Sequence, residues 1–156
     1  MRWRHAIEPV LRPLFHLYGR ITRSATLGVR GLVLDGEGRV LLLEHTYIKG
    51  WYMPGGGVER GETAEAALAR EMVEEVGVRL TARPVLASVH SNHKSHRGDH
   101  VLIYRVTAWE PCQATQHGEI AAVDWFAPDN LPADLSPATR RRLGELLSGA
   151  ETSLDW

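Results

Sequence analysis

The residues of this 156-residue sequence best suited to chemistry are three glutamates, Glu71, Glu74 and Glu75. Spaced at i, i+3 and i+4, they share an arc of about 100° on one face of a predicted helix. Like charges so close repel one another and weaken an isolated helix, and Arg70 alone does not neutralise three acids. Hard divalent cations such as Mg²⁺ take oxygen ligands, mostly carboxylates, carbonyls and water. The spacing therefore favours a cation site over the alternative, a solvated acidic helix face.

A run of glycines, Gly55-Gly56-Gly57, lies upstream of the glutamates. Glycine allows sharp, non-helical backbone and lets a carbonyl or an amide approach an ion or a phosphate closely. The run by itself is weak evidence for a ligand site. Joined to a glutamate-bearing helix at fixed spacing, it becomes much stronger evidence.

Together these residues resemble the Nudix box, G-x5-E-x7-R-E-U-x-E-E-x-G-U, in which U is aliphatic or bulky and apolar. The match runs from Gly56 through Glu62 to the segment 70–78, and every defining position agrees. The residues 51–56, Trp-Tyr-Met-Pro-Gly-Gly, resemble the W-x-x-P-G-G lead-in of the same family, and the residues 123–126 resemble its late strand. The similarity extends over residues 25–147 and leaves the N-terminal segment as an extension.

The resemblance implies an α/β fold, a Nudix-type α/β/α sandwich around a mixed β-sheet, here with an extra N-terminal helix. It also implies a hydrolase that cleaves a diphosphate linkage in a nucleoside diphosphate derivative by water attack on phosphorus, with Mg²⁺ or Mn²⁺ as cofactor. Carried over to this sequence, the implied metal ligands are Glu71, Glu74, Glu75 and the carbonyl of Gly56 or of its neighbour Gly55. Arg70 would orient the glutamates, and Glu62 would add to the substrate or metal site.

Hydrolysis of a diphosphate needs cations that neutralise its charge and a group that takes a proton from the attacking water. We expect Glu71 or Glu74 to be this base. Some members of the family recruit an acid from a later loop, and Glu119, just before a predicted strand, is the candidate for that role here. An exposed loop acid without a role is an equal alternative for Glu119.

A polar stretch at residues 90–100 contains four histidines and two cations. Imidazole is a good zinc ligand, but the stretch has no compact histidine pair on a predicted helix. We expect a loop that borders the active site and contacts substrate phosphates through Lys94 or Arg97, with a solvated loop as the alternative. Nearby, Trp51 and Tyr52 either stack on a base or pack in the core, and packing is the more frequent use.

Periodicity and turn residues predict the elements that must position these side chains. Thr63 is the expected N-cap and Gly77 the C′ residue of a helix over 64–76. A hairpin turn at 35–38 is expected to join the first two strands. The predicted strands cover 25–34, 39–44, 80–89, 100–108 and 120–126, and a last helix covers 137–147. We place Arg140, Arg141 and Arg142 on the solvated side of this last helix.

Hydrophobic residues make up 44% and charged residues 24% of the chain, as in soluble globular domains. The formal net charge of −1 hides a local excess of arginine in residues 1–24 and of glutamate in residues 56–78. We divide the chain into an N-terminal amphipathic helical extension (1–24), a hydrolase domain (25–150) and a C-terminal tail (151–156). We expect the extension to dock on its own domain or on a dimer partner in preference to an anionic membrane.

The single cysteine, Cys112, fits a reducing compartment, so we expect a cytoplasmic protein. Near-zero net charge excludes a globally basic nucleic-acid binder, and no apolar run is long enough to span a membrane. The expected partner is a small nucleotide-type substrate, with a homodimer left open. A non-catalytic nucleotide-sensing module of the same fold is the competing function. Such modules commonly lose box glutamates, which this sequence keeps.

Overall fold

The computed structural model of the protein describes residues 25–116 and 118–156. The predicted helical extension of residues 1–24 lies outside this part of the chain. The elements in chain order are β1 (Thr26–Val33), β2 (Val40–His45), β3 (Trp51–Tyr52), α1 (Ala64–Val76), β4 (Val78–Leu80), β5 (Val85–Ser91), β6 (Asp99–Val106), β7 (Trp109–Pro111), β8 (Ile120–Phe126) and α2 (Pro137–Ser148). No helix in the described residues is both long and apolar enough to cross a membrane.

The strands form a mixed sheet of order β1-β6-β5, in which β6 runs parallel to β1 and antiparallel to β5. A second, antiparallel sheet has the order β3-β2-β8, and β4 pairs with β7. Helices α1 and α2 contribute to two separate apolar clusters, with strands between them. The predicted α/β/α architecture is thus confirmed for the described residues.

Two strands alternate between these apolar clusters. On β1, Val29 and Val33 pack in the cluster that contains α1, whereas Leu32 belongs to the cluster that contains α2. On β2, Leu41 lies in the first cluster and Leu42 in the second. Because successive side chains of a strand point to opposite faces, a strand buried on both faces is apolar at every position. This burial explains the unbroken apolar run at 40–43.

Both ends of α1 follow the predicted capping. The Thr63 hydroxyl oxygen accepts a hydrogen bond of 3.1 Å from the Ala66 N–H. At the other end Gly77 has φ 63°, and its N–H donates to the Met72 carbonyl. A Cβ at position 77 would lie 2.5 Å from the Cys112 carbonyl oxygen, so the close approach of another strand also requires glycine. These two ends fix which residues of α1 face the glycine run.

The predicted hairpin between the first two strands is wrong, although its turn forms. The Gly38 N–H donates to the Asp35 carbonyl over 3.1 Å, but β1 and β2 belong to different sheets and share only the bridge between Leu34 and Val40. One edge of β1 is taken by β6 and the other by the segment 54–58. Similarly, the strand predicted over 80–89 is divided into β4 and β5.

The solvated position predicted for Arg142 is also wrong. Its side chain is 1% exposed because residues 151–156 fold back across α2. The guanidinium donates to Glu145 Oε1 over 2.8 Å, to the Asp155 carbonyl over 3.0 Å and to the Ser153 carbonyl over 3.3 Å. It also lies 2.7 Å from Nδ1 of the buried His90. Burial lowers the pKa of Arg142 from its ordinary value, and the charge of Glu145 opposes this change.

We expect Arg142→Ala to lower the free energy of unfolding by about 3 kcal/mol or more, because it removes a buried cation that donates to a carboxylate and to two backbone carbonyls. The exposed neighbour provides the control: Arg140→Ala should change it by about 1 kcal/mol or less. Urea unfolding of the two variants measures both values. Similar losses in the two would contradict the buried role of Arg142.

Candidate functional site

The glycine run is hydrogen-bonded along the edge of β1 that does not pair with β6. The Val29 N–H donates to the Gly56 carbonyl, the Gly31 N–H to the Pro54 carbonyl and the Val58 N–H to the Leu27 carbonyl, each over 2.9 Å. Gly55 has φ 135°, and a Cβ on it would lie 2.2 Å from the Val29 carbonyl oxygen. Only glycine at position 55 therefore allows the segment to lie so close to β1.

Glu75 joins this segment to α1 from a buried position. Its Oε2 atom accepts a hydrogen bond of 2.8 Å from the Gly55 N–H, and the residue is 7% exposed. Burial raises the pKa of Glu75 to about 7. The Gly55 hydrogen bond and the Arg30 charge lower it, while the charges of Glu71 and Glu119 raise it further. A carboxylate in such surroundings gains from a nearby cation.

Glu71 occupies the space that a side chain at position 56 would need. A Cβ on Gly56 would lie 2.2 Å from Glu71 Oε1 and 2.9 Å from Oε2. The absence of that Cβ lets the carboxylate rest directly against the backbone of the glycine run. The structure thus brings together Gly56, Glu71 and, through Gly55, Glu75, as the box resemblance implies.

Arg70 ties the acidic residues to one another. Its Nε and Nη2 atoms donate to the two carboxylate oxygens of Glu62, each over 3.1 Å. Its Nη1 donates to Glu71 over 2.7 Å and to Glu74 over 3.3 Å, and Nη2 also reaches the Gly57 carbonyl over 3.1 Å. The planar fork of a guanidinium matches such a set, which a lysine ammonium does not.

The hydrogen bonds of the Arg70 guanidinium also shift pKa values in the cluster. Hydrogen bonds from Arg70, and then from the Glu59 N–H, hold the pKa of Glu62 below its ordinary value. The hydrogen bond with Glu62 in turn raises the pKa of Arg70. Both groups are therefore charged at neutral pH, and Glu62 acts on the site by holding Arg70.

The oxygen atoms at this site are of the kind that hard divalent cations bind: carboxylates and backbone carbonyls. Over residues 25–116 and 118–156, no three His, Cys, Asp or Glu side chains are already grouped as metal ligands. The carboxylates of Glu71 and Glu74 accept hydrogen bonds from Arg70, and the carboxylate of Glu75 accepts one from the Gly55 N–H. The Gly56 carbonyl accepts from β1 and retains a second lone pair.

Arg30 is a site residue that the sequence analysis missed. This half-buried cation on β1 donates to the Gly55 carbonyl. Burial lowers the pKa of Arg30, and the charges of Glu75 and Glu71 oppose this change. Gly55 connects the two groups, because its carbonyl accepts from Arg30 and its N–H donates to Glu75. The available signal was a lone arginine within an apolar strand, on the side opposite to Val29 and Gly31.

Glu119 lies directly before β8. Its carbonyl accepts from the Thr46 N–H over 2.8 Å, which fixes the backbone near the end of β2. The residue is exposed, and its charge raises the pKa of both Glu75 and His45. Burial, followed by the Arg30 charge, lowers the pKa of His45. The charge of this loop acid thus acts on Glu75, while its role in catalysis stays a prediction.

The two cations predicted to contact phosphates both belong to the loop 92–98. Lys94 forms an ion pair with Asp155, so it ties the loop 92–98 to the segment after α2. Arg97 is exposed in the same loop. Trp51 packs edge-to-face on Phe126, with ring centroids 4.7 Å apart, and contributes to the second apolar cluster. None of these three side chains hydrogen-bonds with the acidic cluster in the described residues.

Comparisons with known proteins identify the family of this chain. The sequence model of the NUDIX domain matches residues 25–147. A Bacillus subtilis (strain 168) protein named "Putative 8-oxo-dGTP diphosphatase" is 31% identical over 127 residues, 81% of this chain and 83% of that protein. A "MutT-like protein" of Streptomyces ambofaciens is 32% identical over 125 residues, 80% of this chain and 79% of that protein.

Among solved structures, the crystal structure of MutT NUDIX hydrolase from Burkholderia pseudomallei superposes with a TM-score of 0.67. It shares 29% identity, over 79% of this chain and 98% of that one. Fold, family match and a complete box lead to one conclusion. The chain belongs to the NUDIX domain family and is a Nudix hydrolase, an enzyme that acts on phosphoanhydride bonds.

Proposed function

We propose that this Nudix hydrolase depends on Mg²⁺, with Mn²⁺ as a substitute, and cleaves a phosphoanhydride bond in a nucleoside diphosphate or triphosphate derivative. The observation that carries the proposal is the gathering of Glu71 and Glu75 against the glycine run, under the fork of Arg70. The names of the two relatives point to nucleotides as the substrates to test first. The lone Cys112 supports a cytoplasmic location.

The residues present fit a hard divalent cation. The space at Gly56 admits the Glu71 carboxylate, and the Glu75 carboxylate is buried beside two other acids that raise its pKa. A cation offsets this repulsion without adding protein bulk. Glu71, Glu74, Glu75 and the Gly56 carbonyl would hold the metal. When bound, Mg²⁺ supplies charge neutralisation for the diphosphate and lowers the pKa of a bound water.

The remaining side chains have separate roles. Arg70 orients Glu71 and Glu74 and keeps their oxygens in place when the net charge nearby changes. Glu62 positions Arg70 through the paired hydrogen bonds. Arg30, beside the acidic cluster, is the cation best placed to donate to a substrate phosphate. Lys94 and Arg97 stay as candidates for more distant phosphate contacts.

The proton acceptor is one of Glu71, Glu74 and Glu119. Glu71 is held between Arg70 and Gly56, whereas Glu74 and Glu119 are more open to water. A general base must reach a water molecule at the reacting phosphorus, so this accessibility favours Glu74 or Glu119 over Glu71. The ordering refines the expectation from sequence, which treated Glu71 and Glu74 alike.

The competing function, a nucleotide-sensing module without catalysis, would not require the complete set of box acids. Here Arg70 contacts Glu62, Glu71 and Glu74 at once, so loss of any one acid would leave the fork partly unpaired. The intact network supports catalysis as the function of the site.

Glu71→Gln tests the proposal, with Glu65→Gln as the matched control on the same helix. Glu65 is an exposed acid that pairs with Arg83 away from the cluster. We expect Glu71→Gln to lower kcat with Mg²⁺ by about 10²-fold or more, because a carboxylate that binds the cation is lost. Glu65→Gln should keep activity within about twofold. Phosphate or pyrophosphate release from a panel of nucleoside diphosphate and triphosphate derivatives measures both.

Equal activity in the Glu71→Gln variant and wild type would show that the cluster is not the catalytic centre. Absence of Mg²⁺-stimulated release by wild type over the whole panel would favour the sensing module. Thermal unfolding of each variant controls for loss of structure.

The ionisation of buried Glu75 should lower the free energy of unfolding of the metal-free protein. Its pKa rises from 4.5 in the unfolded chain to about 7 in the fold, so its ionisation destabilises the native state. This destabilisation is absent below about pH 4.5 and grows as the pH rises to about 7. With EDTA present at pH 8, Glu75→Gln should therefore raise the free energy of unfolding by roughly 2 to 3 kcal/mol.

The amide that Glu75→Gln introduces still offers an oxygen to the Gly55 N–H, so the comparison isolates the charge. Urea unfolding at pH 5 and pH 8 gives the dependence, and the advantage of the variant should fall below about 1 kcal/mol at pH 5. A constant difference between the two pH values would contradict the buried, ionising carboxyl group.

A further inference from the structure

A cleft of about 280 Å³ adjoins the acidic site. One group of lining residues belongs to that site, and a second group lies outside it. The first group is Arg30, Gly56 and Gly57, and the second includes Asn92, Asp99 and Trp156. Small-molecule sites have this form, a concave surface with few polar groups. Its volume suits a single nucleoside.

Trp156 reaches the cleft because the segment 154–156 pairs with the end of β5. The Ser91 N–H donates to the Leu154 carbonyl over 2.7 Å, and the Trp156 N–H donates to the Ser91 carbonyl over 2.9 Å. Asp155 forms a parallel bridge with Ser91. The segment therefore extends the sheet as a short additional strand whose position is set by backbone hydrogen bonds.

Side chains of α2 and of the neighbouring loop reinforce this position. Buried Arg142 donates to the Asp155 carbonyl, and Arg141 donates to the Trp156 carbonyl, each over 3.0 Å. Lys94 pairs with the Asp155 carboxylate. Three cations thus hold two consecutive residues. The segment 154–156 is therefore ordered before a ligand binds, which reduces the entropy lost on binding.

The indole of Trp156 is half-buried and packs on the second apolar cluster and near His90, at a ring-centroid distance of 5.8 Å. Trp156 is also one of the residues that line the cleft. Asp99, also at the cleft, accepts from Thr26 over 2.6 Å and from Asn92 over 2.8 Å. Each carboxylate oxygen has a further lone pair for an N–H of a ligand.

An aromatic face next to a hydrogen-bond acceptor matches a nucleobase, which offers a flat π surface and N–H groups at its edge. The opposite end of the cleft, at Arg30 and the glycine run, matches the phosphates. We propose that Trp156 is a specificity-determining residue on which the base of the substrate stacks. This inference rests on the proposed function of the acidic site and extends it to the segment after α2.

The test compares binding of AMP, GMP, CMP and UMP with binding of ribose 5-phosphate, which lacks a base, by calorimetry in Mg²⁺. Wild type should bind at least one nucleotide about tenfold or more tightly than the sugar phosphate. Trp156→Leu keeps apolar volume without the π face and should reduce this ratio about tenfold. Trp156→Phe should retain most of it. Leu154→Ala, at the 82% exposed position of the same segment, is the control and should leave it unchanged.

The kinetic counterpart is a rise in KM of about tenfold in Trp156→Leu with kcat within about twofold, because the base is remote from the reacting phosphorus. A ratio equal to that of wild type in a folded Trp156→Leu variant would overturn the proposal. Equal loss in Trp156→Phe and Trp156→Leu would assign Trp156 a packing role and also overturn it. The binding ratio needs no turnover, so a failure of hydrolysis alone would count against the proposed function and not against this subsite.

Discussion

The contact of one guanidinium with three carboxylates is the interaction on which the site depends. Arg70 donates to Glu62, Glu71 and Glu74, and Glu75 is buried just beyond its reach against the Gly55 amide. Four acids on and next to one helix repel one another, and a single arginine offsets only part of that charge. The remaining negative charge is the property that suits the site to a divalent cation and, through it, to phosphates.

Strand β1 positions the glycine run relative to this acidic cluster. One edge of β1 pairs with β6, and the other holds the glycine run in an extended conformation. That second edge sets the distance between the run and α1, so that Glu71 fits where a side chain at position 56 is missing. It also accounts for the divergence of β2, which has no edge of β1 left to join. The constraint that builds the site thus determines the topology around it.

Sequence reasoning predicted the parts of the molecule that local rules govern. The Nudix box and the caps at Thr63 and Gly77 follow from spacing and from residue types within short segments, and the resemblance to the family implied the α/β/α class. The burial of Arg142 and the position of Trp156 depend on residues 151–156, which fold back over α2. Hydrophobic periodicity does not predict such a contact between separate segments. Arg30 was missed for the same reason, since its role becomes visible only when the glycine run lies beside β1.

The proposed role of the box acids is to hold a divalent cation. Electron paramagnetic resonance of Mn²⁺ measures such binding without a substrate, because only free Mn²⁺ gives the full signal. Titration of wild-type protein should remove free Mn²⁺ at a defined stoichiometry, and Glu71→Gln should weaken that binding by about tenfold or more while Glu65→Gln does not. Equal Mn²⁺ binding by wild type and the Glu71→Gln variant would contradict the account.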